Sequence, residues 1–127
     1  MEEMVKILVT LPEPQREVMM ASRMQLFAAA SEGERRKGMA DMVQAVYRLS
    51  DPERRTLILT RTKVIANLPE DAQERIVRSR AAIAAELPEE THRVDMGLTM
   101  EALAQLPPDR QAALRASMAK AGFPLSQ

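Results

Sequence analysis

The sequence predicts an all-α fold of about seven short antiparallel helices, and three observations carry that prediction. A leucine-centred phrase recurs at fixed spacing, each recurrence has the chemistry of a helix start, and the residues between recurrences keep helical apolar periodicity. The phrase reads Leu11-Pro12-Glu13, Leu49-Ser50-Asp51-Pro52-Glu53, Leu68-Pro69-Glu70-Asp71, Leu87-Pro88-Glu89-Glu90 and Leu106-Pro107-Pro108-Asp109. Leu49, Leu68, Leu87 and Leu106 lie 19 residues apart, and Leu11 lies two such steps before Leu49. A copy is therefore due at position 30, where Ala30-Ser31-Glu32-Gly33-Glu34 stands without the proline.

Taken in order, a first, shortened helix covers about 2–10, where Met4, Val5, Ile7, Leu8 and Val9 are apolar on more than one side. Such a helix is either wrapped by later ones or used in self-association, because the terminal element of a stack needs a polar outer face. Each later helix opens at a phrase. Proline disfavours helix in the residue before it and fits the first turn, where its missing N–H costs nothing, so each Leu-Pro closes one helix and opens the next. Ser31 with Glu34 and Ser50 with Glu53 have capping-box spacing.

Basic residues then follow at nearly constant offset: Arg16, Arg35 with Arg36, Arg54 with Arg55, Arg75 one place late, His92 with Arg93, and Arg110 one place early. The pairs Glu13/Arg16, Glu32/Arg36, Asp51/Arg55 and Glu74/Arg78, three or four residues apart, predict ion pairs on the helix surface, and the basic column gives His92 the same explanation. The apolar stripes are Met20/Met24/Phe27, Met39/Val43/Val46, Ile58/Ile65/Leu68, Val77/Ala81/Ala84 and Met96/Met100/Leu103. Gly122 followed by Phe123-Pro124 stops the last helix.

One period therefore holds a helix of about 14–15 residues and a turn of about 4, short enough to set neighbouring helices antiparallel. Two periods make a helical hairpin of about 38 residues, within the range of α-solenoid repeats, with a compact helical bundle as the alternative. The chain reads as one domain, 1–127, with junctions near 11, 30, 49, 68, 87 and 106 and a disordered tail at 123–127. The 38-residue period resembles that of octotricopeptide repeats, although this chain has no Trp and its one Pro-Pro is Pro107-Pro108. The Leu-Pro-Glu junctions look like those in the regulatory domain of magnesium transporters and in flagellar motor switch proteins. These resemblances carry no functional residue to this chain.

Composition narrows the chemistry. Eighteen Lys+Arg balance eighteen Asp+Glu, so no domain-wide field draws the chain to nucleic acid or to an acidic membrane. Zero Cys excludes disulfides and thiolate chemistry, and the single His92 excludes a multi-histidine metal cage. The four glycines are scattered, so no phosphate loop or nucleophile elbow is present. The acidic start lacks an export signal and no apolar run is long enough to span a bilayer, which predicts an intracellular soluble protein. No cofactor, metal or catalytic residue is expected. Thioether pairs such as Met20/Met24 suit Cu(I) in principle, but methionine serves more simply as core filler or as an adaptable partner surface.

Two sets of residues are candidates for binding. Seven of the ten Met lie between Met1 and Met42, which makes Met20, Met24 and Met39 a candidate apolar face for a partner protein. Arg23, Arg61 and Arg80 each stand twelve residues after a phrase leucine and would align across helices as a basic stripe for RNA or another polyanion. The chain has no Trp, one Tyr and two Phe, and so lacks stacking platforms for bases. The sequence thus points to a non-catalytic, protein-binding helical-repeat module, acting as adaptor, assembly factor or accessory subunit, with polyanion binding as the alternative. Asp95 stands where other copies carry Met19, Leu57, Ile76 or Leu114, which marks the stretch from His92 to Gly97 as an exposed or kinked face or a contact site.

Overall fold

The computed structural model describes residues 1–123. It contains seven α-helices, α1 (Glu2–Thr10), α2 (Glu13–Ala29), α3 (Glu32–Tyr47), α4 (Asp51–Ala66), α5 (Glu70–Ile83), α6 (Glu89–Leu103) and α7 (Pro108–Lys120), and a 3₁₀ turn at Ala84–Glu86 prolongs α5. Among the described residues there is no strand, and no helix is long and apolar enough to cross a membrane.

Local chemistry accounts for the boundaries. Pro12, Pro69, Pro88 and Pro107 each occupy the N-cap, one place before the first helical residue, with extended ψ of 141–151°. There each carbonyl accepts the first helical N–H, as Arg16 N–H does to Pro12 O at 2.9 Å, while the fixed φ sets the entry angle. Where the proline is missing or displaced, Ser31 and Ser50 take over with complete capping boxes to Glu34 and Glu53. At the far end Gly122 has φ +93°, a left-handed conformation open to glycine because it has no Cβ. The N–H of Phe123 reaches Met118 O at 3.0 Å and that of Gly122 reaches Ala119 O at 3.1 Å, the paired bonds of a Schellman stop. Phe123 then packs against the second core cluster with Met118, so it belongs to the fold rather than to the expected tail. The remainder of that tail, 124–127, lies outside the described residues.

Most helices pack most heavily on the second helix along, while α7 rests equally on α4 and α5. α1 packs on α3, α2 on α4, α3 on α5, α4 on α6 and α5 on α7, and sequence neighbours touch less. The main core runs from Val5 and Leu8 of α1 through Met20, Met24, Val43, Leu57 and Ile76 to Leu98. A smaller cluster joins Ala66, Val77, Leu103, Leu106, Leu114 and Met118 at the α7 end. With so few aromatics, methionine does fill the interior: Met20, Met24, Met39 and Met42 are all buried.

Candidate functional site

Two features stand out: a set of buried arginines that the helices share, and an apolar face at the α1–α2 end that is exposed among the described residues.

The basic column behaves differently from the expected surface ion pairs. Arg36–Glu32, Arg55–Asp51 and Arg78–Glu74 do pair on the surface. Arg16, Arg35 and Arg54, five residues after their phrase positions, turn inward instead, and Glu13 pairs with Lys63. Arg16 Nη1 donates to Leu11 O at 2.7 Å, Arg35 Nη1 to Ala30 O at 2.9 Å, and Arg54 Nη2 to Leu49 O at 3.1 Å. Each guanidinium thereby caps the carbonyl end of the preceding helix, which would otherwise lack donors.

The same side chains bind the helix two steps on. Arg16 Nε donates to Thr60 Oγ1 at 3.0 Å and Arg35 Nε to Ser79 Oγ at 2.8 Å, both across 44 residues of sequence. Gln73, in the same column, accepts from Ser117 Oγ at 2.7 Å across the same 44 residues and donates through Nε2 to Ile65 O at 2.9 Å. The position 44 after Arg54 is Leu98, and Arg54 Nε is buried without a partner among the described residues.

The fifth member of the column is His92, which is half-buried with Nδ1 3.0 Å from Arg80 Nη2 rather than in a surface ion pair. Since the guanidinium can only donate, Nδ1 accepts and the ring proton sits on Nε2. Burial, and next the Arg80 charge, push the His92 pKa below its ordinary value against the pull of Asp95.

Asp95 explains both its own anomaly and the expected Arg stripe. It is not on an exposed face: only 3% of its surface is open, and it lies within the continuous α6 where that helix meets α4 and α5. Arg61 Nη1 donates to Oδ1 at 3.0 Å, and Arg80 donates to Oδ2 through Nη2 at 3.0 Å and Nε at 3.3 Å. Arg61 Nη2 also reaches Thr99 Oγ1 at 2.8 Å. Burial by itself would raise the carboxyl, but the two guanidiniums overcome it and hold Asp95 below the usual carboxylate range. Burial lowers Arg80 as well, with Asp95 opposing, and its Nη1 is buried without a partner among the described residues.

Arg61 and Arg80 are therefore buried and committed to Asp95, and Arg23 does not join them. It lies partly exposed on α2 with its guanidinium 6.0 Å from the Phe27 ring centroid. The expected basic stripe does not form. Met24, Met39, Arg61 and Arg80 do come together, lining an apolar cavity of about 60 Å³ with Met42, Met96 and Met118. Met20 stays in the solid core, so the expected methionine face is interior rather than a partner surface.

The uncovered face lies elsewhere. Met19 is 46%, Leu26 60% and Ile7 56% exposed. Met19 stands eight residues after its phrase leucine, where Leu57, Ile76 and Leu114 are buried. Leu26 stands fifteen after, where Ala45, Val64, Ile83 and Ala102 are buried, and Ile7 has that same place in α1. Between Met19 and Leu26 lies exposed Ser22, 38, 57 and 95 residues before Thr60, Ser79 and Ser117, the hydroxyls used by the buried column. Each of those counterparts is covered by the helix two steps earlier, and among the described residues no helix stands two steps before α1 or α2. Sequence reasoning pointed to the first helix, whose Val5 and Leu8 are buried and whose Ile7 is exposed, but missed Met19, Ser22 and Leu26 of α2, although the phrase spacing contained their signal.

No family model, curated protein or solved structure matches this chain.

Proposed function

We propose that the chain is a non-catalytic helical-repeat module built of 19-residue helix-turn units stacked in two interleaved rows, and that it binds another polypeptide at the α1–α2 end. In this reading it serves as an adaptor, assembly factor or accessory subunit. The observation that carries it is the exposure of Ile7, Met19 and Leu26 at places whose counterparts in the later helices are core. Uncapped ends of stacked repeats are sticky, because the apolar surface that the next unit would bury stays in water. Support for the stacking itself comes from the Arg16–Thr60, Arg35–Ser79 and Gln73–Ser117 bonds, which join the same two columns at one separation, the arginines donating to the hydroxyl and the glutamine accepting from it.

The natural occupant is an amphipathic helix lying along α2 with an Arg, Lys or Gln placed to reach Ser22. Site-specific photo-crosslinking in the native host tests this. A photoreactive residue at Ser22 should yield a discrete cross-linked polypeptide, and the same residue at exposed Ala112 on α7 should not. No cross-link from position 22, or equal ones from both positions, would remove the proposal.

A further inference from the structure

The protein carries both unmade halves of its own repeated hydrogen bond, one at each end. At the α2 end Ser22 is the hydroxyl with no described helix two steps before it. At the α7 end stands Gln111, 38 residues after Gln73 in the same column and half-exposed, with no side-chain hydrogen bond among the described residues. Gln73 already shows what a glutamine does at this place: its carbonyl oxygen accepts from the serine hydroxyl on the helix two steps on.

Resting on the reading above, we propose that the partner at the α2 face is the α7 end of a second copy of this chain, stacked head to tail so that Gln111 of one copy meets Ser22 of the next.

The chemistry of the two faces is compatible. From Gln15 to Ala29 the exposed residues of α2 are Gln15, Val18, Met19, Ser22, Gln25, Leu26 and Ala29, with no charge among them. The outgoing face of α7 presents Gln111, Arg115 and Ala119, with no acid, and the Arg115 stem can lie on apolar surface while its head stays in water. Small Ala119 permits close approach, as an apolar helix contact requires. Continuing the stack also places α6 of one copy against α1 of the next, where Ile7 is exposed. The contact therefore covers every large apolar side chain left open at those two incoming places. Because the two faces differ, association is heterologous and grows into longer stacks unless it closes into a ring.

Sedimentation of the purified full chain from about 10 μM to about 1 mM spans the range in which a contact of this modest size associates. The expected result is a weight-average mass that rises with concentration above the 14.2 kDa of one chain and past twice that value. Leu26→Asp or Met19→Lys blocks the incoming end, and Ala119→Glu blocks the outgoing end. All three positions are exposed, so the variants should keep wild-type melting. Each alone should weaken association at least tenfold, and an equimolar mixture of Leu26→Asp with Ala119→Glu should recover a one-to-one dimer and stop there. A wild-type mass fixed at 14.2 kDa at the highest concentration would overturn the inference. So would a dimer lost in Leu26→Asp but untouched by Ala119→Glu, the signature of a two-fold contact between α2 faces. If the Ser22 cross-link to another polypeptide is found while the purified chain stays monomeric, self-stacking fails and the protein-binding reading stands. Absence of both removes both.

Discussion

Arg35 and Ser79 stand 44 residues apart in sequence and 2.8 Å apart in space, joined by Nε donating to Oγ. The same guanidinium holds Ala30 O, so one side chain closes the end of α2 and fastens α3 to α5. Ser79→Ala should cost about 1–3 kcal/mol, because it strands a buried charged donor rather than merely deleting a contact. Urea unfolding at neutral pH measures it. A cost below about 0.5 kcal/mol would mean that water reaches the guanidinium.

Leu98 occupies the place of the missing hydroxyl opposite Arg54. Leu98→Thr loses apolar burial but offers an acceptor to the stranded Nε. A double-mutant cycle with Arg54→Met should show coupling of about 1 kcal/mol, the threonine being tolerated better when Arg54 is present. Zero coupling would mean that Arg54 cannot use the position as Arg16 and Arg35 do.

Asp95 neutralises two buried guanidiniums. Asp95→Asn should destabilise by about 3–5 kcal/mol, the usual cost of leaving buried charge unpaired. Replacing Arg61, Arg80 and Asp95 together by leucine should recover most of that loss, since a well-packed apolar substitute for a buried ion cluster is often neutral. Thermal unfolding of the two variants decides the matter, and a triple variant as weak as Asp95→Asn would refute the expectation.

Two groups give stability a pH dependence of predictable sign. The folded-state pKa of Asp95 is depressed, so its contribution is complete above the unfolded value of about 3.9 and is lost as pH falls through the folded one. His92 is depressed too, so folding favours its neutral form, and stability falls as pH drops below about 6.5. Stability should therefore decline in two stages on acidification, and His92→Gln should flatten the upper stage while leaving the lower. Melting temperatures at unit pH steps from 7 to 3 display both stages. A His92→Gln profile parallel to wild type would contradict this.

Gly38 is a contact glycine. A Cβ there would stand 2.5 Å from Cε1 of the buried Phe27 ring. Gly38→Ala should cost about 1–3 kcal/mol by overpacking, despite the better helix propensity of alanine, and Phe27→Leu in the same chain should make the substitution favourable. Measured stabilities of the single and double variants test the pairing.

Helix number and boundaries were legible because they depend on local chemistry. Proline, the Ser-x-x-Glu boxes and Gly122 act on backbone within a few residues of themselves. The role of Arg16 was not legible, since nothing local tells a guanidinium facing Glu13 on the surface from one turned toward Thr60. The Arg61–Asp95–Arg80 cluster was visible as pieces. Asp95 was an anomaly and the arginines an alignment, but joining them required knowing that α4, α5 and α6 converge on one point. The uncovered α2 face was misassigned to Met20, Met24 and Met39 for a similar reason. Methionine count identifies material for an apolar surface, whereas the packing of α2 on α4 and α5 decides which side of it is left exposed.

The acid at position 95 also bears on how the chain finds its fold. In the proposed stack of similar helices, an alignment shifted by one unit would bring apolar stripes together again, so packing alone would separate right from wrong alignment weakly. Were α7 to take the place of α6, Arg61 and Arg80 would face Leu114, where no carboxylate waits. The penalty of two unpaired buried cations then falls on the misaligned form alone. In the proposed repeat Asp95 would thus work as an index mark: a single departure from the pattern that tells otherwise similar helices which of them is sixth.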